Sequence, residues 1–478
     1  MSETRYNPIT QAIAGELARI VGERYVVFND PEKLEPYSHD EIADRSYARM
    51  PEALVRPATA GEIAEIMKLA NRERFAVTPR GAGSGLSGGA VPVAGGVVLL
   101  VDRMNRILDI DRENMMAVVQ PGVVTNEINE ALEPYGLFYA GYPMSLETCY
   151  IGGNVAENAG GGKAIKYGVT GRYVRGLEVV TPTGEIVRLG GKLIKDVTGY
   201  DLIGLLIGSE GTLGIFTEIT LKLLPLPKAA VDLLALFAST QEAIAAVPRI
   251  MTASGLTPTS IEFMDQTAMR ASCEYLNESI PYRKAGPEGA ALLITLDGQD
   301  AARLERDYER VGELCSDAGA VEVYVADNAT TSRRVWKVRM NIGEAYNVLS
   351  RHQSAEDIVV PPARIPQMVA KLNELAEKYD AIIPCYGHAG DGNIHARIVM
   401  KPSRDPAEWK TTLPRILKDL YELTSELGGR ISGEHGIGHK RKEYMSTVVS
   451  QPYLDMLRAI KRAMDPKCVL NPGKIFDS

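Results

Sequence analysis

The chain has 478 residues, 45% of them hydrophobic and 24% charged, with a formal net charge of −8. That length suggests two to three domains with sizeable cores. The acidic balance disfavours nucleic acid or an anionic membrane as the main partner, and an anionic substrate would need Arg or Lys placed locally.

Residues 8–22 read as an amphipathic helix with Ile9, Ile13, Leu17 and Ile20 on one face. The N-terminal Met1-Ser2-Glu3-Thr4-Arg5 leads into that helix and not into an apolar h-region, so no signal peptide is expected. Thr59 opens a second helix with a capping box, Thr59-Ala-Gly-Glu62. A strand over 75–78 runs into the glycine-rich segment 79–89, and another strand follows over 97–101. Residues 106–225 alternate short β runs (117–119, 177–180, 186–188, 215–223) with Gly-rich turns. Pro225-Leu226-Pro227 marks a boundary. Beyond it, strand-like runs at 231–237, 290–296 and 321–325 alternate with helices over 240–254 and 301–318, the texture of a second α+β domain. No run approaches 18 apolar residues, so no transmembrane helix is expected. Cys149, Cys273, Cys315, Cys385 and Cys468 form no CxxC. Reduced thiols in the cytoplasm are therefore expected, and a cysteine-held iron–sulfur cluster is excluded.

Three segments carry chemistry. The first is Pro79-Arg80-Gly81-Ala82-Gly83-Ser84-Gly85-Leu86-Ser87-Gly88-Gly89. Its glycines allow positive φ and close approach of backbone N–H groups to an anion. A strand follows the loop where a Rossmann fingerprint needs a helix, and there is no Gly-Lys-Ser/Thr, so neither that motif nor a P-loop fits. A ligand-free Gly-rich hairpin remains the alternative. The second holds four of the six histidines, in Gly387-His388-Ala-Gly-Asp-Gly-Asn-Ile-His395 and Gly433-Glu434-His435-Gly-Ile-Gly-His439. Residues 394–399 alternate as a strand with an apolar and a partly polar face. A tight turn could bring His388 beside His395, with Glu434 as third ligand. Two imidazoles and a carboxylate suit Zn, Fe(II) or Mn. A hydrogen-bonded polar cleft without metal stays open. The third places Arg339 three residues after Trp336 on a helix. Taken alone, the run Arg333-Arg334-Val-Trp-Lys-Val-Arg339 reads as a solvated basic helix face.

The segments 79–89, IGGNVAENAGG (151–161), GSEGTLGI (208–215) and Asn471-Pro-Gly-Lys474 together resemble the vanillyl-alcohol-oxidase-type FAD-binding fold, from about Pro51 to Phe476. The chain is most similar to glycolate oxidase FAD subunits, D-lactate dehydrogenases and D-2-hydroxyglutarate dehydrogenases. The resemblance implies an α+β architecture: an FAD-binding domain over 1–225, a substrate (cap) domain over 226–420, and a segment 421–478 returning to the FAD domain and completing the active site. It implies that the backbone of 80–85, after Pro79, cradles the pyrophosphate. Pro143, Thr148, Gly152 and Gly153 would run along the flavin or ribityl chain. Glu210, Gly214 and Ile215 would meet the adenosine or the isoalloxazine edge, with Asn158 and Asn471 also at the cofactor. The first loop has no His, so FAD is expected to be noncovalent. His388, His395 and Glu434 match the relatives' divalent-metal ligands, His435 the base, and Arg339 the substrate-carboxylate Arg of a W-x-x-R pattern.

The implied reaction oxidises a small 2-hydroxy acid, D-lactate or glycolate. His435 would take the hydroxyl proton while the C2 hydride goes to flavin N5. Relatives acting on a dicarboxylate carry a Lys before Asp357; here the stretch reads Ser354-Ala355-Glu356-Asp357, which favours a monocarboxylate. The electron acceptor would be an electron-transferring flavoprotein, an iron–sulfur subunit or quinone at a membrane surface. The alternatives are another alcohol, aldehyde or lactone substrate on the same fold, or a noncatalytic FAD-binding subunit of a larger complex.

Overall fold

The computed structural model describes residues 6–326, 328–350 and 352–477. The Met1–Arg5 stretch behind the signal-peptide expectation lies outside them. The chain divides into two compact units. The first takes the residues up to Gly160, then Val169–Leu226, then Glu434 onward. The second takes Gly161–Gly168 and Pro227–Gly433.

In the first unit the opening helix is Gln11–Val21, shorter than the pattern suggested because Thr10 caps it, its hydroxyl accepting from Ile13 N. Thr59 likewise caps helix Ala60–Glu73, accepting from Glu62 N at 3.1 Å. The Glu62 carboxylate returns to Ala58 N at 2.6 Å, one residue before the standard box. Both helices bury one face on a four-stranded sheet ordered Val26–Phe28, Ala53–Val55, Val97–Leu100, Val77–Arg80. The last three strands are parallel and almost wholly buried, as parallel strands are. The C-terminal segment extends this sheet: Val77 N donates to Val469 O at 2.8 Å, and Asn471 N to Val77 O at 2.7 Å. Val469 and Leu470 are part of the same core. A second, antiparallel sheet runs Ile107–Asp111, Met116–Val119, Ile215–Lys222, Val174–Val180, Ile186–Gly190.

The second unit is one antiparallel sheet. Its order is Ala320–Ala326, Ala229–Phe237, Ala290–Gly298, Ser260–Asp265, Cys385–His388, Asn393–Met400, Gln353–Val359, with Ala381–Ile382 paired onto Asn393–Met400. Helices Thr240–Ala253 and Ala301–Asp317 pack on the central strands. Helices Gln266–Leu276 and Ala329–Met340 join a core that includes Leu234, Leu236, Met264 and Leu293. Helices on both faces explain why Ala229–Phe237 and Ala290–Gly298 are continuous apolar runs.

Two features depart from the expected organisation. Residues 161–168 leave the first unit because Lys166 pairs with the Asp297 carboxylate and Tyr167 donates to Asp297 Oδ1 at 2.9 Å. Residue 420 lies inside helix Pro406–Glu426, and the second unit continues to Gly433.

The C-terminal segment is locked by a buried ion pair. Lys461 Nζ meets Asp465 Oδ2 at 2.6 Å and donates to the carbonyls of Thr212 (2.8 Å) and Leu470 (2.7 Å). Removing one partner of such a pair strands a buried charge and costs roughly 3–5 kcal/mol. Lys461→Met is therefore expected to lower the urea midpoint of the first unit; an unchanged midpoint would refute this role.

Candidate active site

The first unit contains a cleft of about 310 Å³, lined by the loop Pro79, Arg80, Gly81, Ala82, Gly83, Ser84 and Gly85 together with Pro143, Gly152 and Gly153. Glu210, Gly214, Ile215, Glu434 and His435 complete its wall. The loop's shape follows from its glycines. Gly83 has φ +79°, and a Cβ there would lie 2.1 Å from Arg80 Nη2. Arg80 is turned inward, donating to His39 O at 2.8 Å, and burial lowers its pKa against the pull of Asp40. Asp40 in turn accepts from Gly88 N at 2.7 Å and from Ile42 N at 3.2 Å. Both ends of the loop are thus fastened from outside. Between them the backbone N–H groups of Gly81 to Ser87 find no protein acceptor among the described residues. A row of unsatisfied amides along a cleft is a site for an anion such as a pyrophosphate.

The opposite wall is built on two buried carboxyls. Glu210, in the left-handed region at φ +53°, accepts from Ile437 N at 2.7 Å and Gly438 N at 2.6 Å. Burial raises its pKa, with those two N–H groups opposing. Burial, and then the charge of Glu210, push Glu157 well above the usual carboxylate range. A Cβ at Gly436 would lie 2.1 Å from Glu157 Oε2, and one at Gly438 2.1 Å from Ser87 O. The glycines after His435 therefore make room for Glu157 and for the first loop.

Three residues expected at the cofactor are not among the lining side chains. Asn471 braces the wall from behind, donating to Gly89 O at 3.1 Å and Glu210 O at 2.8 Å. Asn158 ends helix Ile151–Glu157 in the left-handed region and accepts from Gly171 N at 2.9 Å. Thr148 is exposed, its hydroxyl on Ser145 O at 3.2 Å.

The second unit brings His388, His395 and Arg339 together. The hairpin Cys385–His388/Asn393–Met400 pairs Tyr386 with His395, and the two imidazoles stand 5.2 Å apart, edge to face. Strand Asn393–Met400 is buried along its length, so the face holding His395 and Arg397 is interior, not a solvated surface. Two acidic residues unforeseen in the sequence organise the cluster. Glu262, fully buried, lies opposite His388 in the adjacent strand. Its Oε1 is 2.7 Å from His388 Nδ1 and its Oε2 is 2.6 Å from Arg339 Nη2. Burial alone would raise the Glu262 pKa; the charges of His388 and Arg339 outweigh it and hold the group ionised, below its usual range. Asp357 lies opposite His395 in register, 4.0 Å from its Nδ1, and accepts from Asn393 Nδ2, Ser432 Oγ and Gly433 N. Glu434 and His435 follow Gly433 directly in the chain.

Arg339 is nearly fully buried, over the Tyr386 ring at 5.1 Å, and its Nε has no acceptor among the described residues. That removes the solvated-face reading. Arg397 is buried too, but is committed to neutral partners: Tyr386 Oη (3.2 Å), Asn347 Oδ1 (2.9 Å) and Gln353 Oε1 (2.8 Å). The lone charge in the apolar run Ser260-Ile-Glu-Phe-Met264 was the one sequence signal that could have exposed Glu262.

Comparison with known proteins identifies the lineage. Residues 51–190 match the FAD binding domain family, and residues 226–475 match the FAD linked oxidases, C-terminal domain. The chain belongs to the FAD-linked oxidase family. It is 38% identical to a D-lactate dehydrogenase of Anaerostipes hadrus over 99% of both chains. It is 39% identical to the glycolate oxidase subunit GlcD of Bacillus subtilis, covering 96% of this chain and 97% of that one. A D-2-hydroxyglutarate dehydrogenase of Stutzerimonas stutzeri is 31% identical, over 97% and 99%. Among solved structures, p-cresol methylhydroxylase aligns with a TM-score of 0.79 at 19% identity over 98% of each chain. A 4-ethylphenol oxidase from Gulosibacter chungangensis aligns at 0.76 and 18% identity, over 97% of each. These likenesses show the fold, which is the α+β, vanillyl-alcohol-oxidase type. As a family member the protein is an FAD-binding oxidoreductase, and the amide row fits that cofactor's pyrophosphate. Gly83→Ala, which strains a positive φ and displaces Arg80, is expected to weaken FAD binding at least about tenfold. Flavin retained on gel filtration reads this directly; full retention would refute the loop's role.

Proposed function

We propose that the protein oxidises a small 2-hydroxy acid, D-lactate or glycolate, to the 2-oxo acid with noncovalently bound FAD. The observation that carries the reading is Arg339: a buried guanidinium with an unmet donor, fixed beside two imidazoles. A desolvated Arg with an unmet N–H is suited to an oxyanion such as a carboxylate. The names of the similar dehydrogenase and oxidase subunits support the same substrate class.

Each side chain then has a task. Arg339 binds and orients the substrate carboxylate, with Glu262 holding the guanidinium in place. His435, on the wall of the flavin cleft, accepts the hydroxyl proton. FAD supplies the two-electron sink. His388, His395 and Glu434 hold a divalent metal, Zn, Fe or Mn. The Glu262 contact at His388 Nδ1 is the kind of outer partner that orients a metal-binding histidine. Such an ion would add Lewis acidity at the hydroxyl. Arg397 is taken up by neutral partners and no Lys precedes Asp357, which favours a monocarboxylate. The electrons leave to a separate acceptor, an electron-transferring flavoprotein or an iron–sulfur subunit.

Anaerobic addition of D-lactate or glycolate to the purified holoprotein is expected to bleach the flavin. Chelator should abolish the bleaching and a divalent metal restore it. Bleaching unaffected by chelator refutes the metal, whereas flavin that no hydroxy acid reduces favours a noncatalytic subunit. Arg339→Met is expected to raise KM and lower kcat/KM by about 10- to 150-fold, the loss of a charged hydrogen bond. A normal KM would overturn the assignment.

A further inference from the structure

The wall of the flavin cleft carries an acid that the chemistry described so far does not use. Glu157 ends helix Ile151–Glu157, and its side chain lines the cleft. Its carboxyl lies between two glycine loops. A Cβ at Gly89 would be 2.9 Å from its Oε1, and one at Gly436 2.1 Å from its Oε2. Oε2 is shut off from solvent and has no hydrogen-bond partner among the described residues. Glu210 stands beside it, its Oε1 only 3.1 Å from that same Cβ position at Gly436. The two acids are served differently. Glu210 accepts from the N–H groups of Ile437 and Gly438, whereas Glu157 accepts from no described N–H. The cations that face Glu157 from the C-terminal segment are engaged with carbonyls. Arg441, fully buried, donates to Gly436 O at 3.1 Å, and Lys474 donates to Val91 O. Asp40 adds a further negative charge.

A carboxylate without a donor, next to a second carboxylate, bears its desolvation cost without relief, so the proton stays on. Burial first, then the charges of Glu210 and Asp40, hold the Glu157 carboxyl well above the usual carboxylate range, against the pull of Arg441 and Lys474. The two amides on Glu210 favour the ionised form there and leave the proton to Glu157. A carboxylic acid, unlike a carboxylate, has an O–H to donate. We propose that Glu157 is a cofactor-binding residue: as an un-ionised carboxyl on the cleft wall, it donates a hydrogen bond to an acceptor atom of bound FAD. An ionised Glu157 would instead set a negative charge in a cleft whose amide row is arranged for an anion. Glu157 does this whichever substrate the protein oxidises.

The test uses the full-length holoprotein and two variants. Glu157→Gln keeps a neutral donor of the same shape, and Glu157→Leu keeps only the bulk. Near neutral pH, the Kd for FAD is read from the fluorescence of flavin released on dilution, and the infrared spectra of wild type and Glu157→Gln are subtracted. Wild type is expected to show the C=O band of an un-ionised carboxyl that Glu157→Gln lacks. Glu157→Gln is expected to bind FAD within about threefold of wild type, and Glu157→Leu about tenfold more weakly, the loss of one hydrogen bond. A subtraction without that band means that Glu157 is ionised and overturns the proposal. So does a Glu157→Leu variant that binds as tightly as Glu157→Gln, since no bond is then donated. A Glu157→Gln variant as weak as Glu157→Leu overturns it too, because a neutral donor then restores nothing.

Discussion

Glu210 is the residue on which the first unit's architecture converges. Its N–H donates to Ala156 O, its carbonyl accepts from Asn471, and its carboxylate accepts from Ile437 and Gly438. This one residue thus joins the helix over 151–157 to two parts of the C-terminal segment. The cost is a buried acid in a left-handed backbone, of the kind that persists only when its surroundings over-determine it. The glycines on either side follow from it. Gly436 and Gly438 are glycine because Glu157 and Ser87 occupy the space a Cβ would need. The cleft is a by-product of this packing: once the loop over 79–89 is held from outside by Asp40 and His39, its amides have nowhere to turn but inward.

The second unit depends on a similar economy. Glu262 serves a histidine with one oxygen and an arginine with the other, so two candidate functional groups share one counter-charge. A buried acid paired with an arginine and in contact with a histidine stays ionised, and both neighbours keep fixed orientations. Asp357 does the equivalent for His395, the Ser432 hydroxyl and the Gly433 N–H. His388 and His395 are thus held by strands and Arg339 by a helix, which suits precise positioning.

Local patterns were legible from residues alone where the determinant is local. Thr59 capping its helix, the apolar runs over 231–237 and 290–296, and the strand after the glycine loop are all set by neighbours within a few positions. The His388/His395 pairing was also readable, because a hairpin of that length leaves little choice of register. Pairing across long separations was not. Glu262 acquires its meaning from a strand partner 126 residues away, and the excursion of 161–168 from Asp297, 131 residues from Lys166. The boundary near 420 failed for another reason: nothing within the helix Pro406–Glu426 signals a change of unit. Thr148, Asn158 and Asn471 show a further limit. Motif membership marks a residue as needed, but a cap or a brace satisfies that need as well as a ligand contact does.

The division of the chain has a consequence for biosynthesis. The first unit's core includes Val469 and Leu470, yet most of that unit precedes residue 227. On the ribosome the N-terminal part must wait while roughly 200 residues of the second unit are made, about 10–40 s at common elongation rates. Through that interval the strand Val77–Arg80 lacks its C-terminal neighbour, and the cleft lacks the wall that Glu434 and His435 provide. Flavin loading is therefore expected to be a late event, once the C-terminal segment has arrived.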